Sequence, residues 1–138
     1  MQTGSSGYLM VFRETALERY EAMSADERRE CMRQWNDWTD GLAAEGKLRS
    51  GNTLADEVRV VAAPRGRPQV VDGPFAETKE LIAGYFLLAA DSMDEATDIA
   101  RRCPLLVHGM TVEVRPVAAA CHLARSLGWE TMREPVDA

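Results

Sequence analysis

The apolar residues of this chain come in short blocks whose spacing changes from strand-like to helix-like and back. Leu81 to Ala90 is an almost uninterrupted apolar run broken only by Gly84, and it carries no helical stripe. Such a run predicts a central strand covered on both faces. Tyr8 to Phe12, bounded by Gly7 and by Arg13-Glu14, predicts a second interior strand. Thr111 to Val117 alternates, with Val112 and Val114 inward and Thr111, Glu113 and Arg115 outward. Val58, Val60 and Ala62 alternate inward in the same way, which predicts a half-buried strand. Pro64-Arg65-Gly66-Arg67 is a hairpin turn, and it returns the chain through Val70 and Val71 to the Asp72-Gly73-Pro74 corner.

Helical spacing fills the gaps between these blocks. Cys31, Trp35, Trp38 and Leu42 recur on one stripe behind a capping box at Ser24-Ala25-Asp26-Glu27, predicting an amphipathic helix that lies on a sheet and ends near Gly46. A second long-helix signal starts at Ser92-Met93-Asp94-Glu95, buries Ala96, Ile99, Ala100 and Cys103, and stops at Pro104. Thr15-Ala16-Leu17-Glu18 has capping-box form and opens a short turn. Lys47 to Thr53, with Ser50-Gly51-Asn52, is expected to be a loop. The order is β-α-β(β)-β-α-β, an α+β ferredoxin-like split βαβ pattern with an inserted β-hairpin. Residues 1–7 are expected to be a flexible leader lacking the features of a secretory signal, 8–117 the domain, and 118–138 a helical tail with Ala120, Leu123, Ala124 and Leu127 on one side.

Composition narrows the function classes. A formal charge of -6, with basic residues scattered along the chain, argues against a nucleic-acid surface. No apolar stretch approaches the roughly 18 residues of a membrane span, so a soluble, cytoplasmic protein is expected. Three cysteines without C-x-x-C spacing, and two histidines, predict neither a disulfide framework nor a metal site. No cofactor is expected, because no Gly-rich phosphate loop opens a helix.

Candidate chemistry concentrates beside the most apolar strand. Asp72 at a strand end can have its affinity for protons raised by desolvation, and it can equally be a turn-forming Asp satisfied by the backbone. His108, in the loop before the last strand, is the natural acid–base partner, or else a surface or backbone-bonded His. Phe75, Glu77 and Lys79 are ligand-binding candidates, although Glu-Thr-Lys-Glu also reads as a solvated charge run. Gly51, Asn52 and Gly84 are candidates for close approach of a ligand. Trp35 and Trp38 can be core or pocket lining.

The run Asp72-Gly73-Pro74-Phe75-Ala76-Glu77-Thr78-Lys79-Glu80, followed by Gly84-Tyr85-Phe86, resembles the signature of DGPF-type proteins within the YCII-related family. Arg102-Cys103-Pro104 and His108-Gly109 through Pro116 extend the resemblance to roughly residues 8–117. The resemblance implies a ferredoxin-like fold, pairing of two sheets into a dimeric α/β barrel, and a pocket for an unidentified small molecule. It also implies an association with extracytoplasmic-function sigma factors, as an alternative to lyase- or isomerase-type proton transfer by Asp72 and His108. An open sheet face gives a physical reason to expect the homodimer. Two departures stand out. Relatives described with a His in the first long helix and an Asp before a Pro find Gln34 and Trp35 near the first place here, and Cys103 at the second. Met110 follows His108-Gly109 where another Gly is expected.

Overall fold

The computed structural model describes residues 7–73 and 81–136, with the side chains of residues 72 and 73 excluded. Four strands form the main sheet: β1 (Tyr8–Glu14), β2 (Leu48–Thr53), β5 (Leu81–Leu88) and β6 (Thr111–Pro116). Between β2 and β5 in the chain lies a separate two-stranded sheet of β3 (Val58–Ala62) and β4 (Gln69–Gly73). The main sheet has the order β2-β5-β1-β6, with every neighbouring pair antiparallel. The protein is thus α+β, with the two most apolar strands at the centre of the sheet.

One face of that sheet carries the core. Along β1, Met10 and Phe12 are buried, and along β5 so are Phe86 and Leu88. Two helices cover them: α2 (Ala25–Ala44), through Cys31 and Leu42, and α3 (Met93–Arg101), through Ala96, Ile99 and Ala100. Each large side chain withdrawn from water in this way contributes roughly 1.5–3 kcal/mol. Trp35 and Trp38 pack on the same cluster, so the stripe predicted for α2 is the stripe that docks. Both ends of α2 follow local rules. Ser24 accepts from the Glu27 amide while Glu27 accepts from the Ser24 amide, and Gly46, at φ +75°, lets the Lys47 amide reach back to the Leu42 carbonyl.

Several sequence expectations change. Lys47 to Thr53 is not a loop: Leu48–Thr53 is the edge strand β2. The short helix α1 (Leu17–Glu21) has Ala16 as its N-cap without a side-chain hydrogen bond, because the Thr15 hydroxyl donates to the Gly109 carbonyl instead. Ser92 does cap α3, but Glu95 turns its carboxylate to the Asp91 amide and to Lys47, so no reciprocal box closes.

The β3–β4 hairpin is not half-buried. Val58 is partly covered, but Val60 and Ala62, expected inward, are exposed, as are Val61 and Val70. β2 already occupies the position beside β5, and the hairpin pairs only with itself, as a sheet of its own. The tail behaves similarly, since only His122–Ser126 is helical (α4). There Ala120 and Ala124 are buried while Leu123 and Leu127 are exposed.

The central strands are covered on one face within the chain, not on both. Leu9, Val11, Tyr85 and Leu87 alternate with the buried residues and point to the face away from the helices, where each stays partly exposed. On that same face Arg13 donates to Glu113 at 3.1 Å, and the Asn52 amide donates to the Tyr85 hydroxyl at 2.9 Å.

Candidate functional site

Where α2 crosses the ends of β1 and β5, the core opens into a cavity of about 340 Å³. Phe12, Trp35 and Phe86 form its aromatic wall, Met32 and Met110 close the sides, and Gly84 lies at its floor. The wall is a continuous edge-to-face arrangement. Phe12 stands 5.1 Å from Trp35 and 4.8 Å from Phe86, with ring planes crossed at 72° and 77°. Behind it, the buried Trp38 indole N–H has no hydrogen-bond partner among the described residues. An orphaned donor of that kind costs about 1–3 kcal/mol, which the ring's contacts with Phe12, Trp35 and Phe86 must offset.

Both glycines at this end of the sheet are there for close approach. A Cβ on Gly84 would lie 2.6 Å from the Asn52 carbonyl oxygen, and one on Gly51 would lie 2.5 Å from the Phe86 ring. Gly51, Asn52 and Gly84, singled out from sequence as ligand candidates, therefore border the same cavity.

The cavity contains one ionisable group among the described residues, Glu14. Alternation along β1 carries Met10, Phe12 and Glu14 to the helix side, so the strand ends with a carboxyl where the two before it are core. The Tyr20 hydroxyl, from α1, donates to Glu14 Oε1 at 3.3 Å. Burial holds the Glu14 carboxyl above its usual value of 4.5, and the hydrogen bond from Tyr20 partly counters the shift. Tyr20 is in turn pushed well above the ordinary phenol value, first by burial and then by the charge of Glu14. Nearby, burial pushes the Cys103 thiol up to about 11, so it is a neutral core group with its sulfur 3.8 Å from that of Met110.

Sequence reasoning treated Glu14 as a strand boundary and passed over it. The signal was present: a carboxylate two residues beyond Phe12 on an inward-pointing register. Met110, which stands where the resemblance implies another Gly, is buried and forms part of the cavity wall.

The other sequence candidates lie elsewhere. His108 ends a 3₁₀ turn, Leu106–His108, with its ring 6.5 Å from that of Tyr20. It borders a second cleft of about 210 Å³ together with Glu27, Cys31 and Gln34. Asp72 is on β4, its backbone opposite Arg59. Its side chain lies outside the described residues, as do Phe75, Glu77 and Lys79, so the expected Asp72–His108 pairing has no described counterpart. Among the described residues no group of three or more His, Cys, Asp or Glu could hold a metal ion, and no helix is long and apolar enough to cross a membrane.

Comparison with known proteins bears on this arrangement. The family model of the YCII-related domain matches residues 9–119, which takes in the whole main sheet from Leu9 on, together with the residues around the cavity. The chain belongs to the YCII-related family. Among curated proteins, an uncharacterised protein of Rhizobium meliloti (strain 1021) is 56% identical over 36 residues. That match takes in 26% of this chain and 29% of the relative's length. Within the matched region, Trp35 of α2 lines the cavity while Gln34 beside it is exposed. The position before Pro104 is occupied by the buried Cys103.

Proposed function

We propose that this YCII-related protein binds a small, largely apolar molecule in the cavity under α2 and supports proton transfer of the lyase or isomerase type on it. The observation that carries this reading is the combination of about 340 Å³ of aromatic-walled space with one half-buried carboxyl at its edge among the described residues. Its size falls in the range of roughly 300–1,000 Å³ common for ligand sites, and convergent polar groups in an apolar pocket are the usual mark of one. Asp72 and His108 are proposed as an acid–base pair on the strength of the motif at residues 72–80; His108 borders the neighbouring cleft beside Tyr20, so the pair would act from that side, and Glu14 is the proton-transferring group at the cavity itself.

The working form in this proposal is a homodimer in which ferredoxin-like sheets pair through their uncovered faces as an α/β barrel. Its support is the partly exposed strip of Leu9, Val11, Tyr85 and Leu87, which a second copy would cover. A cytoplasmic setting accords with three free thiols.

A thermal-shift series of small aromatic acids, ketones and lactones tests ligand binding. A ligand that binds only the folded form must raise Tm. Saturable shifts abolished by Trp35→Ala in a still-folded protein are expected. No shift with any compound at millimolar concentration would sink the proposal.

A second reading, an accessory protein linked to an extracytoplasmic-function sigma factor, is favoured by the exposed valines of the β3–β4 hairpin, Val61 and Val70. It predicts stoichiometric sigma-factor binding that Val61→Lys abolishes and Asp72→Asn with His108→Ala leaves intact.

A further inference from the structure

We infer that Glu14 and Tyr20 form the recognition element of the cavity, with the Tyr20 hydroxyl holding Oε1 of Glu14 so that its carboxyl, when protonated, donates a hydrogen bond to the carbonyl oxygen of a small aromatic ligand. This deepens the ligand-binding proposal and rests on it, while assigning the polar contact to residues outside the Asp72–His108 pair.

Three observations converge. Glu14 borders the cavity and Tyr20 is its only hydrogen-bond partner among the described residues, engaging Oε1 and leaving Oε2 available to a ligand. The side-chain amide of the neighbouring Asn52 is already committed to the Tyr85 hydroxyl at 2.9 Å. The aromatic wall of Phe12, Trp35 and Phe86 suits the edges and faces of a flat ring more than an aliphatic chain.

The surroundings favour the neutral acid. Burial is the leading influence on Glu14, and among the described residues no cation pairs with it: Arg13, its neighbour in β1, pairs with Glu113 on the opposite face of the sheet. Opposite Glu14 on β5 is the apolar Leu81. Among the described residues, the other titratable groups around the pair are the Cys31 thiol of α2, the Cys103 thiol after α3 and the His108 ring beside Tyr20. A protonated carboxyl in such a site is a donor, whereas an ionised one is acceptor-only and repels a carbonyl oxygen.

The ligand chemistry that matches is an aromatic ketone or related neutral carbonyl compound. Acetophenone serves as the probe, and ethylbenzene, of similar shape but without an acceptor, as its reference. Binding is followed by NMR at the Trp35 indole and the Met32 methyl group, with Glu14 titrated by carboxyl carbon shifts in the same samples.

In the native protein at pH 4, below the ordinary carboxyl value, acetophenone is expected to bind about five- to tenfold more tightly than ethylbenzene, the worth of one hydrogen bond. The preference should collapse as Glu14 ionises. In Glu14→Gln, whose amide donates at any pH, it should persist across the range, and in Glu14→Leu it should be absent throughout. Tyr20→Phe should move the Glu14 titration, and the collapse with it, to higher pH, because it removes the hydrogen bond that favours the anion.

Probes that bind in the cavity with a preference unchanged by pH and by both Glu14 variants would overturn this inference while leaving the ligand-binding proposal standing. Probes that leave Trp35 and Met32 undisturbed would overturn both. A Glu14 that titrates at or below 4.5 in the free protein would overturn the inference without reference to any ligand.

Discussion

Gly51 and Phe86 are opposite one another across the β2–β5 pairing, and the Phe86 ring occupies the space a side chain on Gly51 would need, 2.5 Å from the Cβ position. The relationship explains why turn-like Ser50-Gly51-Asn52 is a strand. An edge position tolerates weak strand formers, and the missing side chain admits an aromatic ring that the core uses. Gly84 is the more rigid case, since a methyl there meets the Asn52 carbonyl oxygen of the backbone at 2.6 Å. Gly84→Ala should therefore cost about 1–3 kcal/mol, the usual range for forced overpacking, and Gly51→Ala less where the Phe86 ring can tilt. Urea midpoints at unchanged m-value check the order, and a larger loss at Gly51 would contradict it.

At the start of α2, Ser24 and Glu27 satisfy each other's amides. Ser24→Ala should lower stability by about 1 kcal/mol, the typical worth of an N-cap, without altering the fold. Ser24→Gly should cost only a few tenths of that. Thermal melts of the pair distinguish a lost cap from a general helix effect, in which Gly would be the worse of the two.

Lys47 and Glu95 tie the start of β2 to α3 at 2.5 Å. The Glu95 carboxyl is held below its usual 4.5, first by the Asp91 amide and then by Lys47, and Lys47 is raised above 10.5 by the same partner. A lowered carboxyl contributes stability that is present above pH 4.5 and lost as pH falls through the folded-state value. Glu95→Gln should accordingly destabilise at pH 7 and make little difference at pH 2. Denaturant titrations at the two pH values measure this, and an equal loss at both would assign the effect to packing.

The sequence made the helix faces legible because their signals are local. The stripe of Cys31, Trp35, Trp38 and Leu42 and the inward set of Ala96, Ile99 and Ala100 depend only on helical spacing, and both dock as expected. The hairpin of Val58 to Gly73 was misjudged because alternation reports which residues share a face and nothing about what lies beneath it. Glu14 was missed for a related reason: its meaning comes from Tyr20 six positions on and from a cavity assembled by α2 and β5, neither of which leaves a mark at Glu14 itself. Thr15 likewise looks like a helix cap until Gly109, distant in sequence, offers its carbonyl.

The proposed sheet-to-sheet dimer makes a prediction separable from folding. Leu87 is on the uncovered face of β5, beside Leu9 of β1, and neither contributes to the helix-covered core. Leu87→Glu should leave the far-ultraviolet spectrum unchanged while converting a dimer to a monomer in sedimentation, because a charge buried without a partner at a subunit interface is strongly unfavourable. A native protein that sediments as a monomer at high micromolar concentration would remove the dimer from the proposal.

Glu14 should show a pH signature of the opposite sign to Glu95. A carboxyl raised above 4.5 in the folded protein keeps its proton there while the unfolded chain releases it, so the folded state binds more protons over that interval. Stability tied to this group is complete below pH 4.5 and declines as pH rises through the folded value. Glu14→Gln retains an acceptor for the Tyr20 hydroxyl at nearly the same shape and removes the ionisation. The variant should match the native protein near pH 4 and exceed it at pH 7, whereas Glu95→Gln falls below the native protein at pH 7. Because Glu14 is only partly buried and solvent screens it, the gain should be a modest fraction of what full burial would give. Measured side by side, the two variants separate a carboxyl placed for stability from one held at the edge of a cavity at a cost to it. A Glu14→Gln protein less stable than native at pH 7 would mean that the carboxylate, and not the neutral acid, is the form this fold accommodates.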